Sequence, residues 1–184
     1  MTERPHDIMI KTTTIGTPLG EMIAAASSAG ICLLEFAEGR IAADDLREIS
    51  ELCDEPVKSG LNWHLWKLRR QIKEYFNGKR KEFSVPLVTK GTDFQEECWR
   101  ILRKIPYGST ISYQKQADSL NNPEAVRAVA QANGSNRIAI VVPCHRVIGS
   151  DGSLIGYSGG LKRKKWLIEH EKKYSGQAID QDLF

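Results

Sequence analysis

The chain has 184 residues, 41% of them hydrophobic and 27% charged, a balance that supplies buried cores for one large domain or two small ones and excludes disordered and fibrous classes. Its net charge is +3, with 13 Lys/Arg against 13 Asp/Glu in residues 1–90 and 13 against 10 in residues 91–184. So small an excess, confined to the second half, reads by itself as a solvated basic face rather than a nucleic-acid footprint.

The run Met1-Thr2-Glu3-Arg4-Pro5-His6-Asp7 has no basic region leading into an apolar core, so it is not read as a signal peptide. Residues 21–26 and 31–36 are strand-like and flank Ser27-Ser28-Ala29-Gly30, which predicts a hairpin. The apolar stretch 22–36 is broken by Ser27, Ser28, Gly30 and Glu35 and cannot span a membrane. Leu65, Leu68, Ile72 and Tyr75/Phe76 recur at helical spacing, predicting a helix over 62–76 that Asn77-Gly78 ends. Lys79-Arg80-Lys81 reads as a solvated turn, and residues 83–88, with Pro86 inside, as a last edge strand.

The second half is more helical. Thr92-Asp93-Phe94-Gln95 resembles a capping box, and Phe94, Trp99, Leu102 and Ile105 give the helix behind it an apolar face until Pro106-Tyr107-Gly108. A short helix is predicted over 112–120. After the turn Asn121-Asn122-Pro123, with Asn122 as cap and Pro123 at the first helical position, a second follows over 124–132, ended by Asn133-Gly134. The pair matches a helix-turn-helix. Residues 138–142 read as a buried extended segment delivering Pro143-Cys144, residues 157–160 as a glycine-rich loop, residues 162–172 as a helix, and residues 175–184 as a mobile tail.

The four cysteines, Cys32, Cys53, Cys98 and Cys144, lack the close pairs of a zinc clip or disulfide framework. Cys32 and Cys98 lie in apolar stretches and read as buried, inert thiols. This usage fits a reducing compartment, hence a cytoplasmic location.

Cys144 sits in the run Val142-Pro143-Cys144-His145-Arg146-Val147. A thiol attacks only as its thiolate, and an ordinary pKa of about 8.5 leaves little of it at neutral pH. It needs a base. Neighbouring side chains on an extended chain point apart, so direct pairing with His145 demands a turn right after Pro143. A single relaying water serves the same purpose with less distortion. A third group must then hold the imidazole, and Glu171 is a candidate. An adjacent Cys and His are by themselves a weak signal, compatible with a structural pair.

The pentapeptide Pro143-Cys144-His145-Arg146-Val147 resembles the active-site motif of the O6-alkylguanine-DNA alkyltransferases. Gly91-Thr92-Asp93-Phe94-Gln95, Ile105-Pro106-Tyr107-Gly108, Thr110-Ile111-Ser112-Tyr113, Arg127-Ala128-Val129, Gly156-Tyr157-Ser158-Gly159-Gly160 and His170-Glu171 fall in that family's order and spacing, and Ile15-Gly16-Thr17-Pro18-Leu19-Gly20 extends the likeness more loosely into residues 10–90. The resemblance implies an α+β chain: a small α/β, ribonuclease-H-like domain over 1–88, then a mainly helical, winged-helix-like domain over 89–174 that carries the helix-turn-helix and the reactive cysteine.

It also implies single-use DNA repair without a cofactor, by a monomer acting on double-stranded DNA that contains O6-alkylguanine or O4-alkylthymine. Cys144 takes the alkyl group, while His145, a water and Glu171 remove the thiol proton. Tyr113 donates to the base and Asn136 braces the backbone. Tyr157, Ser158, Gly159 and Val147 line the base pocket. Lys164 lies near it, with phosphate contact or plain solvation as its alternative. Because the target base is stacked in the duplex it must be rotated out, and Arg127 matches the arginine that fills the gap. Ala128 beside it keeps the recognition helix slim, and Ser112 and Arg137 complete the DNA face. Arg137 stands where many relatives have Pro. His6, Cys32, Cys53 and His64 do not reproduce the zinc ligands or second acceptor cysteine of some relatives, so no metal is expected. Three other readings stay in view: a protein that binds alkylated bases without repairing them, a Cys-His hydrolase, and a transcription regulator built on the helix-turn-helix.

Overall fold

The computed structural model describes residues 9–37 and 40–176, in two compact units, one of residues up to 76 with 83–90, the other of residues 77–82 with 91 onward. His6 and tail residues 177–184 lie outside the described residues.

In the first unit β1 (Ile10–Thr17) and β2 (Gly20–Ala26) form one antiparallel hairpin, and β3 (Ile31–Phe36) pairs antiparallel with β2. The chain then crosses through α1 (Arg40–Cys53) to β4 (Val57–Ser59), which lies parallel to β1 and gives the sheet order β3-β2-β1-β4. Ile10, Ala25, Cys32, Leu33 and Ile49 form the core between sheet and α1. Helix α2 (Trp63–Phe76) starts where Asn62 Oδ1 accepts the Leu65 amide at 3.0 Å, and buries Leu65, Leu68, Ile72 and Tyr75.

The expected edge strand over 83–88 is a correction: only Leu87 forms a β-bridge, to Ile31. Two of its backbone groups, Pro86 O and Val88 N, bond to Ile31. The segment is held instead by buried Gln71, whose Nε2 donates to Ser84 Oγ at 2.7 Å and whose Oε1 accepts the Ser84 amide at 3.0 Å. Its closeness to the hairpin explains Gly30, where a Cβ would meet Pro86 O at 2.5 Å.

The second unit is built on α3 (Asp93–Leu102), α4 (Tyr113–Ser119), α5 (Val126–Gly134) and α6 (Leu161–Ser175), with β5 (Ile111–Ser112) and β6 (Val147–Ile148) paired in parallel. The capping box is present, Thr92 Oγ1 accepting the Gln95 amide and Gln95 Oε1 accepting the Thr92 amide. The α4–α5 pair is the expected helix-turn-helix. A reciprocal amide pair, Gln116 to Asn133 at 3.1 and 2.7 Å, and the Trp99 indole donating to Ala132 O at 2.8 Å tie α3, α4 and α5 together.

Three details differ from expectation. Asn122 makes no side-chain cap, because residues 123–125 form a 3-10 turn before α5 begins. Asn133 does not end the helix; its amide is buried against Gln116, and α5 runs on to Gly134. Helix α6 reaches Ser175, so that residue belongs to the helix rather than to a tail, and left-handed Gly176 closes it (φ 78°).

Candidate active site

Residues 138–142 are buried except for half-buried Val141, but they are not extended: they coil through consecutive tight turns. The Val141 amide donates to Ala139 O at 2.8 Å across Ile140, whose φ of +70° is a strained conformation for a β-branched residue, costing about 1–3 kcal/mol. The Cys144 amide donates to Val142 O at 2.9 Å across Pro143 in a second such turn, and Cys144–Arg146 form a 3-10 turn. This supplies the turn after Pro143 that pairing Cys144 with His145 demands.

Asn136 sits under these turns. Its Oδ1 accepts the Ile138 amide at 3.0 Å, which orients Nδ2 to donate to Val142 O at 2.8 Å and to Cys144 Sγ at 3.2 Å. The side chain thus braces the backbone and also offers a proton donor to the sulfur, an interaction that favours thiolate over thiol.

His145 is fully buried, its Nε2 2.8 Å from Glu171 Oε1. Burial holds the imidazole below its ordinary pKa, against the opposing pull of Glu171. The Glu171 carboxyl is pushed upward by burial, but His145 and Arg146 together outweigh this and hold it well below the usual carboxylate range. An ionised carboxylate only accepts, so Nε2 carries the hydrogen and Nδ1 is the basic nitrogen. That Nδ1 is buried and makes no hydrogen bond among the described residues.

Glu171 is fixed from three further sides. Arg146 Nε donates to Oε2 at 2.8 Å, Arg146 Nη2 to Oε1 at 3.0 Å, and the Gly108 amide to Oε2 at 3.1 Å. Arg146 Nη1 also donates to Ile105 O at 2.6 Å. Neither Arg146 nor Gly108 was among the expected site residues. The signal was present, since an arginine inside an apolar run is buried only with a carboxylate partner.

Tyr113 and Lys164 meet at the backbone of Ile155 and Gly156. Tyr113 Oη donates to Ile155 O at 3.1 Å, with Gly156 O at 3.3 Å. Lys164 is completely buried, and Nζ donates to Ile155 O at 2.6 Å and Gly156 O at 3.1 Å. Its alternative as a solvated or phosphate-facing lysine is therefore corrected: the ammonium grips the loop. Burial pushes Tyr113 up to about 12, with the Cys144 charge adding, and Lys164 down to about 8, with the Cys144 charge opposing. Both side chains thus feel the sulfur.

Val147 is buried in β6, Gly159 is buried in the loop, Tyr157 is half-buried and Ser158 exposed. Arg127 and Ala128 are exposed on α5, Arg137 is half-buried after it, and the Ser112 hydroxyl caps α4 by accepting the Lys115 amide at 3.0 Å. By contrast Cys32 and Cys98 are buried among apolar groups that push their thiols up to about 12 and 11.

Residues 10–89 match the model of the 6-O-methylguanine DNA methyltransferase ribonuclease-like domain, and residues 93–173 that of its DNA-binding domain. A methylated-DNA–protein-cysteine methyltransferase of Methanosarcina barkeri is 40% identical over 86% of this chain and 94% of its own length. The chain belongs to the methylated-DNA–protein-cysteine methyltransferase family. The constitutive Bacillus subtilis methyltransferase is 43% identical over 87% of the chain and 94% of its own length. Among solved structures, the Mycobacterium tuberculosis O6-methylguanine methyltransferase superposes with a TM-score of 0.76 at 39% identity, covering 90% of this chain and 94% of that one. The same protein has been solved in complex with DNA. Direct repair of alkylated DNA by transfer of the alkyl group to a protein cysteine is the activity that membership of this methyltransferase family gives the chain.

Proposed function

We infer that Cys144 is the acceptor and that it is consumed by one reaction. The single observation that carries this is the chain Asn136–Cys144 and His145–Glu171, a sulfur with an amide donor at 3.2 Å beside an imidazole polarised by a buried carboxylate at 2.8 Å. The thiol proton passes through a water to His145 Nδ1, and Glu171 stabilises the imidazolium. The thiolate attacks the alkyl carbon on guanine O6. An S–C bond forms, the C–O6 bond breaks, and its electron pair stays on the base. Tyr113 donates toward the departing guanine, which takes up one proton, so the step is proton-neutral overall. The product S-alkylcysteine has no leaving group to regenerate it.

The DNA partner engages α5. The small residues Ala128 and Ala130 and the exposed Arg127 suit a helix entering the minor groove, where degenerate readout fits a lesion in any sequence context. Arg127 fills the space left when the nucleotide rotates into the pocket formed by Val147, Tyr157, Ser158 and Gly159. Arg137 and Ser112 lie toward the phosphates. Among the described residues no helix is long and apolar enough to cross a membrane, and we assign the protein to the cytoplasm, where its four free cysteines stay reduced.

Incubating the protein with a duplex that contains O6-methylguanine and weighing the Cys144 peptide tests this reading. One methyl group per molecule and no recovery of activity are expected. Repeated turnover would establish the hydrolase reading, retention of the lesion the binding-only reading, and methyl on Cys98 another acceptor.

A further inference from the structure

Helix α2 buries Leu65, Leu68, Ile72 and Tyr75 and turns a second stripe, Trp63, Trp66, Arg70 and Lys73, to solvent. Trp63 is 66% exposed and Trp66 47%. The two indoles stack on each other, centroids 5.0 Å apart and planes inclined by 17°, and the Arg70 guanidinium carbon lies 5.8 Å from the Trp66 centroid. This leaves a broad, ordered aromatic surface in water, which a soluble domain keeps chiefly where something binds. Its surroundings are basic. Lys67, Arg69, Arg70 and Lys73 stand on the helix against one carboxylate, Glu74, and that is paired with Arg70 at 3.2 Å.

We propose that this face of α2 is a platform for single-stranded nucleic acid, an unpaired base stacking on the Trp63 ring and the phosphates lying along Arg69 and Lys73. Rings that accept any base by stacking, next to cations that follow a backbone, are the combination that single-strand binding requires. From Trp63 to Lys73 a helix rises about 15 Å, enough to follow a short stretch of single-strand backbone. An apolar protein partner would want the hydrophobic surface to continue. Beyond the tryptophans, however, Leu61 is the one large exposed apolar neighbour in sequence, and the rest of the stripe is charged. The platform uses none of the groups around Cys144, so it stands or falls separately from the alkyl-transfer reading.

The test uses the full chain labelled with 5-fluorotryptophan, whose four tryptophan signals are assigned by single Trp→Phe changes. On titration with an oligothymidylate of about eight nucleotides, the Trp63 and Trp66 fluorine signals are expected to move while that of Trp99 stays. The affinity read from the Trp63 signal should weaken about tenfold or more in Arg69→Glu/Lys73→Glu, since each stacked base and each phosphate contact contributes on that scale. The rate with free O6-benzylguanine should stay at the wild-type value in that variant. Unmoved Trp63 and Trp66 signals overturn the proposal. So does equal movement with a polyglutamate peptide, which would reduce the effect to charge, or movement with the peptide alone, which would make the face a protein-docking surface. Methylation of Cys144 is read by mass in a parallel sample of the same labelled protein given the O6-methylguanine duplex, so failure here is distinct from failure there.

Discussion

Arg146 clasps Glu171 through two parallel hydrogen bonds, Nε to Oε2 at 2.8 Å and Nη2 to Oε1 at 3.0 Å, both side chains buried. The fork fixes the carboxylate plane and leaves Oε1 aimed at His145. Glu171→Gln keeps the shape but replaces an acceptor by a donor that opposes either His145 or Arg146. The single-turnover alkyl-transfer rate at neutral pH should fall about a hundredfold or more, the scale of general-base assistance. Much of the loss should disappear at high pH, where the thiol ionises unaided. Arg146→Lys cannot reproduce the fork and leaves a buried carboxylate underpaired, so its melting temperature should drop by an amount corresponding to several kcal/mol. A Glu171→Gln rate equally depressed at every pH would show that the carboxylate does not act through the proton path.

The same pair sets the pH dependence of stability. The folded His145 pKa is depressed by burial, so the unfolded chain binds the extra proton below its ordinary value of about 6.5. The Glu171 pKa is also depressed, so its contribution is complete above the unfolded value of about 4.3 and is lost as pH falls below it. Both signs agree. Unfolding free energy should be level near neutrality, begin to fall below about pH 6.5 and fall more steeply below about pH 4.3. Chemical denaturation across this range measures it. In Glu171→Gln the second, steeper loss should shrink, and an unchanged profile would contradict the assignment.

Much of this site was legible in the sequence because its residues lie in short, ordered motifs, and the structure puts Asn136 against Cys144, His145 against Glu171 and Tyr113 against Ile155 and Gly156. What the sequence concealed was local backbone. Residues 138–142 are apolar and mostly β-branched, and a fully buried run carries no period to separate a strand from a coil of tight turns. Strand β1 contains Lys11, Thr12, Thr13 and Thr14 and shows no clean alternation of burial, while α1 offers Leu46, Ile49 and Cys53 as its described apolar contacts. The Arg146–Glu171 fork joins positions 25 apart in the chain, a pairing that no local pattern encodes.

Asn136→Ala removes the donor at 3.2 Å from Cys144 Sγ and the two hydrogen bonds that hold the tight turns. The thiolate fraction should decline, and alkylation of Cys144 by iodoacetamide without DNA should slow about tenfold at neutral pH, the effect of raising a pKa by about one unit. Thermal stability should fall by about 1–3 kcal/mol, since buried backbone groups lose their partners. Unaltered iodoacetamide reactivity would confine Asn136 to its bracing role.

Lys164→Met preserves bulk and deletes the ammonium that holds Ile155 O and Gly156 O. The loop that carries Tyr157 and Ser158 should loosen, visible as faster amide hydrogen exchange over residues 154–160, and reaction with free O6-benzylguanine should slow about tenfold as the pocket loses its preorganised shape. Affinity for undamaged duplex should not change. With a pKa of about 8, Lys164 in the wild-type protein should show the same loosening as pH rises past that value, because the neutral amine has one donor fewer.

Arg127 is exposed on α5, and its assigned work lies wholly in the duplex reaction. Removing a base from the stack costs a few kcal/mol, and a side chain filling the gap offsets part of that. Arg127→Ala should therefore reduce the rate of repair of O6-methylguanine in duplex by about tenfold to a hundredfold, while reaction with free O6-benzylguanine, which needs no flipping, keeps its wild-type rate. A duplex whose target guanine is mispaired or flanked by a gap already bears part of the unstacking cost, so the variant should recover most of its rate on that substrate. If Arg127 acted only by attracting phosphates, the variant would lose the same factor on paired and mispaired duplexes, and raising the salt concentration would erase the difference between variant and wild type.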